Sequence, residues 1–166
     1  AYDTAFDDGP LQSAHVAPIA LVFLSNLLRP DAQETFRYFA SQGVSVRVIS
    51  GDNPITVAQV ATRAGIENAD RYVDATTLST EQDFEEAVKY YTVFGRVTPE
   101  QKRYLVRAFQ KQGHTVAMTG DGVNDVLALK DANCGIAMAS GSQAASQVAQ
   151  IVLLNSQFSA MPAIVV

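Results

Sequence analysis

Short β-rich apolar segments alternate along the chain with amphipathic segments of helical length. That alternation predicts strand-helix-strand crossovers, and so a largely parallel sheet with helices on both faces. The predicted strands are Ile19–Leu24, Val44–Ile49, Thr92–Phe94, Thr115–Met118, Gly135–Met138 and Ile151–Leu154. Several are continuous apolar runs, as strands covered on both faces tend to be. A short extra strand is expected around Tyr72 and Val73, inside the least regular stretch, 68–80.

The helices between them are punctuated. Pro30 opens a helix over Asp31–Gln42 and Gly43 closes it, while Asn53 caps a helix that starts at Pro54 and stops at Gly65. Ser79 with Gln82 reads as a capping box for a helix over Glu81–Tyr90, and Thr98, Pro99 and Gln101 repeat the device for a helix ending at Gly113. No internal repeat, low-complexity tract or long linker interrupts the pattern. With 166 residues, 48% of them apolar, the chain suits one domain spanning residues 1–166.

Charge and composition narrow the classes. Twelve Lys and Arg against seventeen Asp and Glu give a net charge of −5 with no basic run, so a nucleic-acid partner has no electrostatic footprint. The single cysteine, Cys134, permits no internal disulfide and reads as a buried, inert thiol in a reducing cytosol. The longest apolar run, Val16–Leu24, contains Pro18 and is far short of the roughly 20 residues that span a bilayer. The first ten residues carry Asp3, Asp7 and Asp8 and no cation, the reverse of a targeting peptide, and read as a chain already in progress.

Chemistry gathers at three predicted strand ends. Thr119–Asp125, TGDGVND, follows the strand TVAM and precedes VLALKDA, so it lies where open α/β sheets place ligands. Asp121 and Asp125, four apart, offer hard oxygen ligands, and Gly122 and Asn124 let backbone approach a phosphate; magnesium with phosphate suits the set. The plain alternative is a strand-to-helix turn rich in turn-forming residues. Ser50–Asn53, SGDN, puts a hydroxyl and free amides at a helix N-terminus, an anion cradle unless Asp52 and Asn53 are only caps. In Gly95–Lys102, GRVTPEQK, Lys102 opposes the dipole of its own helix unless an anion is near; a solvated surface lysine is the competing reading, and Arg96 is equally ambiguous.

Taken in order, SGDN, GRVTPEQK and TGDGVNDVLALKDANCGIAMASGSQAASQVAQIVLL resemble the TGDN, ARxxPxxK and TGDGxNDxxALxxAxxGIAM blocks of P-type cation-transporting ATPases, over about residues 26–158. Small phosphatases of the haloacid dehalogenase superfamily share GDGxND, but the continuation ASGSQAASQVAQIVLLNSQFS is similar to the P-type stretch. The resemblance implies a haloacid dehalogenase-like, Rossmann-like fold in which Ser50 and Gly51 bind the transferred phosphoryl group and Lys102 neutralises it. It further implies that Asp121 ligates magnesium, that Asn124 and Asp125 support phosphate and metal, and that Asp52, Arg96 and Arg29 lie toward the nucleotide, ATP.

The family's phosphorylated aspartate sits in DKTGT, a string absent from the 166 residues. By the resemblance, the chain is the carboxyl-terminal part of a phosphorylation domain whose nucleophile-bearing central strand lies elsewhere in the polypeptide. The strands VSVRVI and TVAM are then expected to lack their shared neighbour, leaving a distorted, substituted or self-associating sheet. SNLLRP at Ser25–Pro30 departs from the family's DPLRP, with Asn26 at the aspartate position, so the ribose-side contact is in question while Arg29 remains. RPDA and VISGDN resemble a bacterial branch of pumps that includes calcium transporters, which implies Ca2+ as cargo and a cytoplasmic domain of a plasma-membrane protein, soluble as a fragment. The rival readings are a soluble phosphatase of the same superfamily and a catalytically silent binding or regulatory module.

Overall fold

The structure, a computed structural model, describes residue 20 and residues 27–164. Apart from residue 20, the expected strand Ile19–Leu24 falls outside the described residues, as do the departures at Ser25 and Asn26.

Among the described residues six strands and six α-helices alternate: α1 (Ala32–Ser41), β1 (Val48–Ile49), α2 (Pro54–Arg63), β2 (Tyr72–Asp74), α3 (Glu81–Ala87), β3 (Val93–Gly95), α4 (Pro99–Lys111), β4 (Ala117–Gly120), α5 (Val126–Asp131), β5 (Cys134–Met138), α6 (Gln143–Val148) and β6 (Ile151–Leu153). The strands form two parallel sheets of three, in the orders β1-β3-β2 and β4-β5-β6. The α/β fold read from periodicity is what the structure has. Among the described residues no ladder joins β1 to β4.

Each half-sheet is covered on both faces, and strand alternation does the sorting. In β3, Val93 faces a core made by α2 through Ala58 and Ala61. Its neighbour Phe94 faces Phe84 of α3 and Leu105 and Phe109 of α4. In β5, Ile136 packs with Phe39 of α1, Leu153 and Met161, while Ala137 packs with Leu129 of α5 and Ala145 of α6. Helix α4 serves both halves: Leu105 belongs to the first core and the adjacent Val106 to the second. Ile49 and Val116 are partly buried against both cores.

Helix starts follow local chemistry. Asn53 Oδ1 accepts from the Ile55 N–H at 3.0 Å, with Pro54 at the first helical position. Thr98 and Gln101 make the reciprocal capping box of α4. The box before α3 is Thr80 with Asp83, not Ser79 with Gln82: the Asp83 carboxylate accepts the N–H groups of both Ser79 and Thr80 at 2.8 Å, which a residue one position earlier could not reach.

Two strands differ from expectation. β1 keeps only Val48 and Ile49 of the predicted Val44–Ile49, because among the described residues β3 alone pairs with it and the register stops there; Val44 is 43% exposed. β4 runs Ala117–Gly120 instead of Thr115–Met118, since its ladder with β5 continues to Gly120 opposite Ala137. The extra strand at Tyr72 and Val73 is present as β2. Cys134 is half-buried at the start of β5, not fully buried.

Candidate functional site

The three loops singled out from sequence follow β1, β3 and β4. Two of them are tied together by backbone. Val97 N–H donates to the Ser50 carbonyl at 3.0 Å and Arg96 N–H to the Asp52 carbonyl at 2.8 Å, so SGDN and GRV form one rigid platform. Ser50 N–H donates to Phe94 O at 3.0 Å, and Ser50 Oγ accepts from Asp52 N–H at 3.1 Å. Gly95 is obligatory: a Cβ there would lie 2.4 Å from Pro54 Cα, where α2 begins across the end of β3. Gly51, Asp52 and Asn53 are exposed; the Gly51 backbone and the Asp52 carboxylate make no bond to another described residue, while Asn53 Oδ1 is taken up by its helix cap.

Arg96 sits in the left-handed region with φ 53, which costs a non-glycine residue about 1–2 kcal/mol. Its Nη1 donates to Asp74 Oδ2 at 2.9 Å. Asp74 is itself fixed, its Oδ1 accepting from Thr76 N–H and Oγ1 at 3.0 and 2.7 Å; these bonds, then Arg96, hold its carboxyl below the ordinary value. Sequence reasoning missed Asp74, which lies 22 residues from its partner and carries no local signal.

The third loop is organised by a side chain. Asp125 is buried, and its Oδ2 accepts from the N–H groups of Gly122 at 3.0 Å and Asp121 at 3.3 Å. Its Oδ1 accepts from Lys102 Nζ at 2.6 Å, with only 15% of the lysine side chain and 9% of the aspartate exposed. Gly120 makes room for this, since a Cβ would come within 2.6 Å of the Asp125 Cβ. Lys102 thus faces the dipole of α4 with a carboxylate in reach, and it joins the platform of the first half-sheet to the loop of the second.

Asp121 and Asn124 are exposed at the same strand end, and neither side chain bonds another described residue. The Asp121 carbonyl accepts from Ser142 N–H at 2.6 Å, which locks the loop to the start of α6. The two carboxylates that spacing treats as a pair are therefore differently engaged: Asp121 is open and Asp125 is held within the protein. Arg29 stands apart, with Nη1 3.4 Å from the Ser156 carbonyl and no bond to the three loops. Among the described residues no three His, Cys, Asp or Glu converge as a ready-made metal site.

The model of the haloacid dehalogenase-like hydrolase family matches residues 2–133. The chain belongs to that family. It is 56% identical over 151 residues to the calcium-transporting ATPase CtpE of Mycobacterium tuberculosis, covering 90% of this chain and 19% of that protein. It is 43% identical over 155 residues to the probable cation-transporting ATPase exp7 of Streptococcus pneumoniae, covering 93% of this chain and 20% of that protein. The chain thus spans about a fifth of the length of these relatives. A solved catalytic domain of the CPx-ATPase CopB-B superposes with a TM-score of 0.65 at 22% identity, over 84% of this chain and 46% of that one, and shares the fold.

Proposed function

We propose that the chain is part of the phosphorylation domain of an ATP-driven cation pump that passes through an aspartyl phosphate. The observation that carries this reading is the joining of three strand-end loops, SGDN to GRV by backbone bonds and GRV's helix to TGDGVND by Lys102–Asp125. Phosphoryl transfer needs fixed donors and positive charge around three spreading oxygens, and little covalent help from other side chains. A carboxylate oxygen attacks the γ-phosphorus, the bond to the bridging oxygen breaks, and ADP leaves; water later cleaves the acyl phosphate.

In this reading Ser50 and Gly51 hold the transferred group, Lys102 neutralises it, and Asn124 donates to it. Asp52, Arg96 and Arg29 lie on the nucleotide side. Asp121 is the open magnesium ligand, and Asp125 supports the same metal site by fixing the loop and orienting Lys102. One or two carboxylates with phosphate oxygens and water is a common magnesium environment, so the sparse donor set fits that ion. Magnesium, when bound, supplies charge neutralisation at the phosphate oxygens.

The nucleophile belongs to the rest of the same polypeptide, on a parallel strand that would pair with β1 on one side and β4 on the other. The names of the mycobacterial relatives support Ca2+ as the transported ion. In such a pump this domain lies on the cytoplasmic side; none of the described helices is long and apolar enough to cross a membrane.

The test is labelling from radioactive ATP. The isolated 166-residue chain takes up no label and hydrolyses no ATP, and it self-associates through its open strand edges, measured by light scattering. The full reading frame forms an acyl phosphate that Lys102→Ala and Asp121→Asn each diminish. Stoichiometric, magnesium-dependent labelling of the isolated chain overturns the proposal, and a reading frame without flanking hydrophobic spans favours the phosphatase instead.

A further inference from the structure

We propose that the amino ends of the first half-sheet form a second anion site, for a phosphate or carboxylate group of a small molecule, at the opposite end of the strands from the Ser50 and Arg96 loops. A cavity of about 290 Å³ opens there between the connections that lead into β1, β2 and β3. Arg47, Arg71 and Lys89 line it, against the single carboxylate of Glu67. In a chain of net charge −5, three cations meeting one anion around a cavity is a local inversion of charge.

These cations are poorly neutralised by the protein itself. Arg71 is exposed, and its side chain makes no hydrogen bond or ion pair with another described residue. Arg47 has no carboxylate partner; its Nη1 donates to the Val46 carbonyl at 3.2 Å, and the guanidinium lies 5.8 Å from the centre of the Phe109 ring. Burial pushes the Arg47 pKa below its ordinary value, the mark of a charge that has lost water without gaining a counter-ion. Lys89 pairs with Glu86, but both side chains are at least half exposed, so that pair holds the ammonium weakly.

One backbone donor adds to the set: the Asn68 N–H, at the cavity, donates to no other described residue. An oxyanion would satisfy that amide together with an arginine, whose planar fork matches phosphate and carboxylate geometry.

The test is an amide-resolved NMR titration of the chain with sodium phosphate or sodium citrate, against sodium chloride at matched ionic strength. The Asn68 and Arg71 amides are expected to shift and saturate, apart from any change at Gly51 or Gly122. Arg71→Gln weakens binding about tenfold or more, and the exposed Lys130→Gln leaves it unchanged. A response to phosphate alone assigns a phosphate group, and a response to citrate alone a carboxylate. Chloride reproducing the shifts, still resonances at Asn68 and Arg71, or wild-type affinity in Arg71→Gln each overturn the proposal; none of these bears on the catalytic reading.

Discussion

The half-sheet β1-β3-β2 ties its loops to each other with backbone hydrogen bonds, whereas β4-β5-β6 organises its loop around one carboxylate, with a backbone bond from Ser142 tying it to α6. In the first, the carbonyls of Ser50 and Asp52 accept from Val97 and Arg96, and the Asp52 side chain plays no part. In the second, both oxygens of Asp125 are consumed, by two loop amides and by Lys102. A loop built on backbone tolerates side-chain change; a loop built on one buried aspartate does not. The first platform can therefore vary in its outward groups, while the second depends on Asp125 to hold its loop and Lys102 in place.

The largest expected effect breaks that contrast open. Asp125→Ala leaves the Lys102 ammonium largely buried without its partner and frees two amides, and should cost about 3–5 kcal/mol in urea unfolding. Asp52→Ala, an exposed position in the equivalent loop, should stay within about 0.5 kcal/mol. Replacing Lys102 with Met in the Asp125→Ala background should recover much of the loss, because no charge is then stranded. Equal costs at Asp52 and Asp125 would end the comparison.

The next effect asks whether the halves are separate bodies. Leu105 and Leu129 are each fully buried, one in each core, and truncation to Ala should cost about 2–5 kcal/mol at either site. Helix α4 feeds both cores through Leu105 and Val106, and Arg103, Arg107 and Gln110 bind the end of α5 at Asp131. Coupling of that kind predicts a single transition. With no Trp in the chain, tyrosine fluorescence weights Tyr72, Tyr90, Tyr91 and Tyr104 around the first half, while circular dichroism sees both. Divergent midpoints in Leu129→Ala would show that α4 does not bind the halves into one unit.

Gly120→Ala sharpens the second loop without touching a charge. Its Cβ would collide with Asp125 at 2.6 Å, so either the strand end or the carboxylate must move, at about 1–3 kcal/mol. Gly51→Ala in the first loop meets no atom within 4 Å and should be far milder.

The pattern of apolar positions made the α/β class and the alternation legible, because burial on two faces leaves continuous runs such as VFG in β3 and CGIAM in β5. Helix starts were legible where one residue has the right side chain, as at Asn53 and Thr98. Before α3 two hydroxyls, Ser79 and Thr80, compete, and only the reach of Asp83 decides between them. Strand length was not legible: Val44–Arg47 has the composition of a strand but, among the described residues, no ladder partner. The candidate site was legible as three loops at strand ends but not as a wired unit. Lys102 meets Asp125 across 23 residues and Arg96 meets Asp74 across 22, and no local pattern says which carboxylate a cation will find. Short α6 was also unread, although Ser142 Oγ accepts from Ala145 N–H as an ordinary cap.

The smallest effect tests the seam itself. Burial pushes the Asp131 carboxyl upward, but hydrogen bonds and charge from Arg103 and then Arg107 outweigh it and hold the group below the ordinary carboxylate value. A carboxyl depressed in the folded state contributes stability above its unfolded value of about 3.9, and that contribution fades as pH falls through the lower folded value. Asp131→Asn should therefore cost up to about 1 kcal/mol at neutral pH, given arginines 29% and 44% exposed, with the gap to wild type closing below about pH 4. Asp74 in the first half is held down chiefly by the hydroxyl and amide of Thr76 and only then by Arg96, so added salt should narrow the Asp131→Asn gap more than the Asp74→Asn gap. A gap at Asp131 that persists unchanged at low pH would mean that α4 and α5 are held by packing alone, with the arginine pair a bystander at the seam.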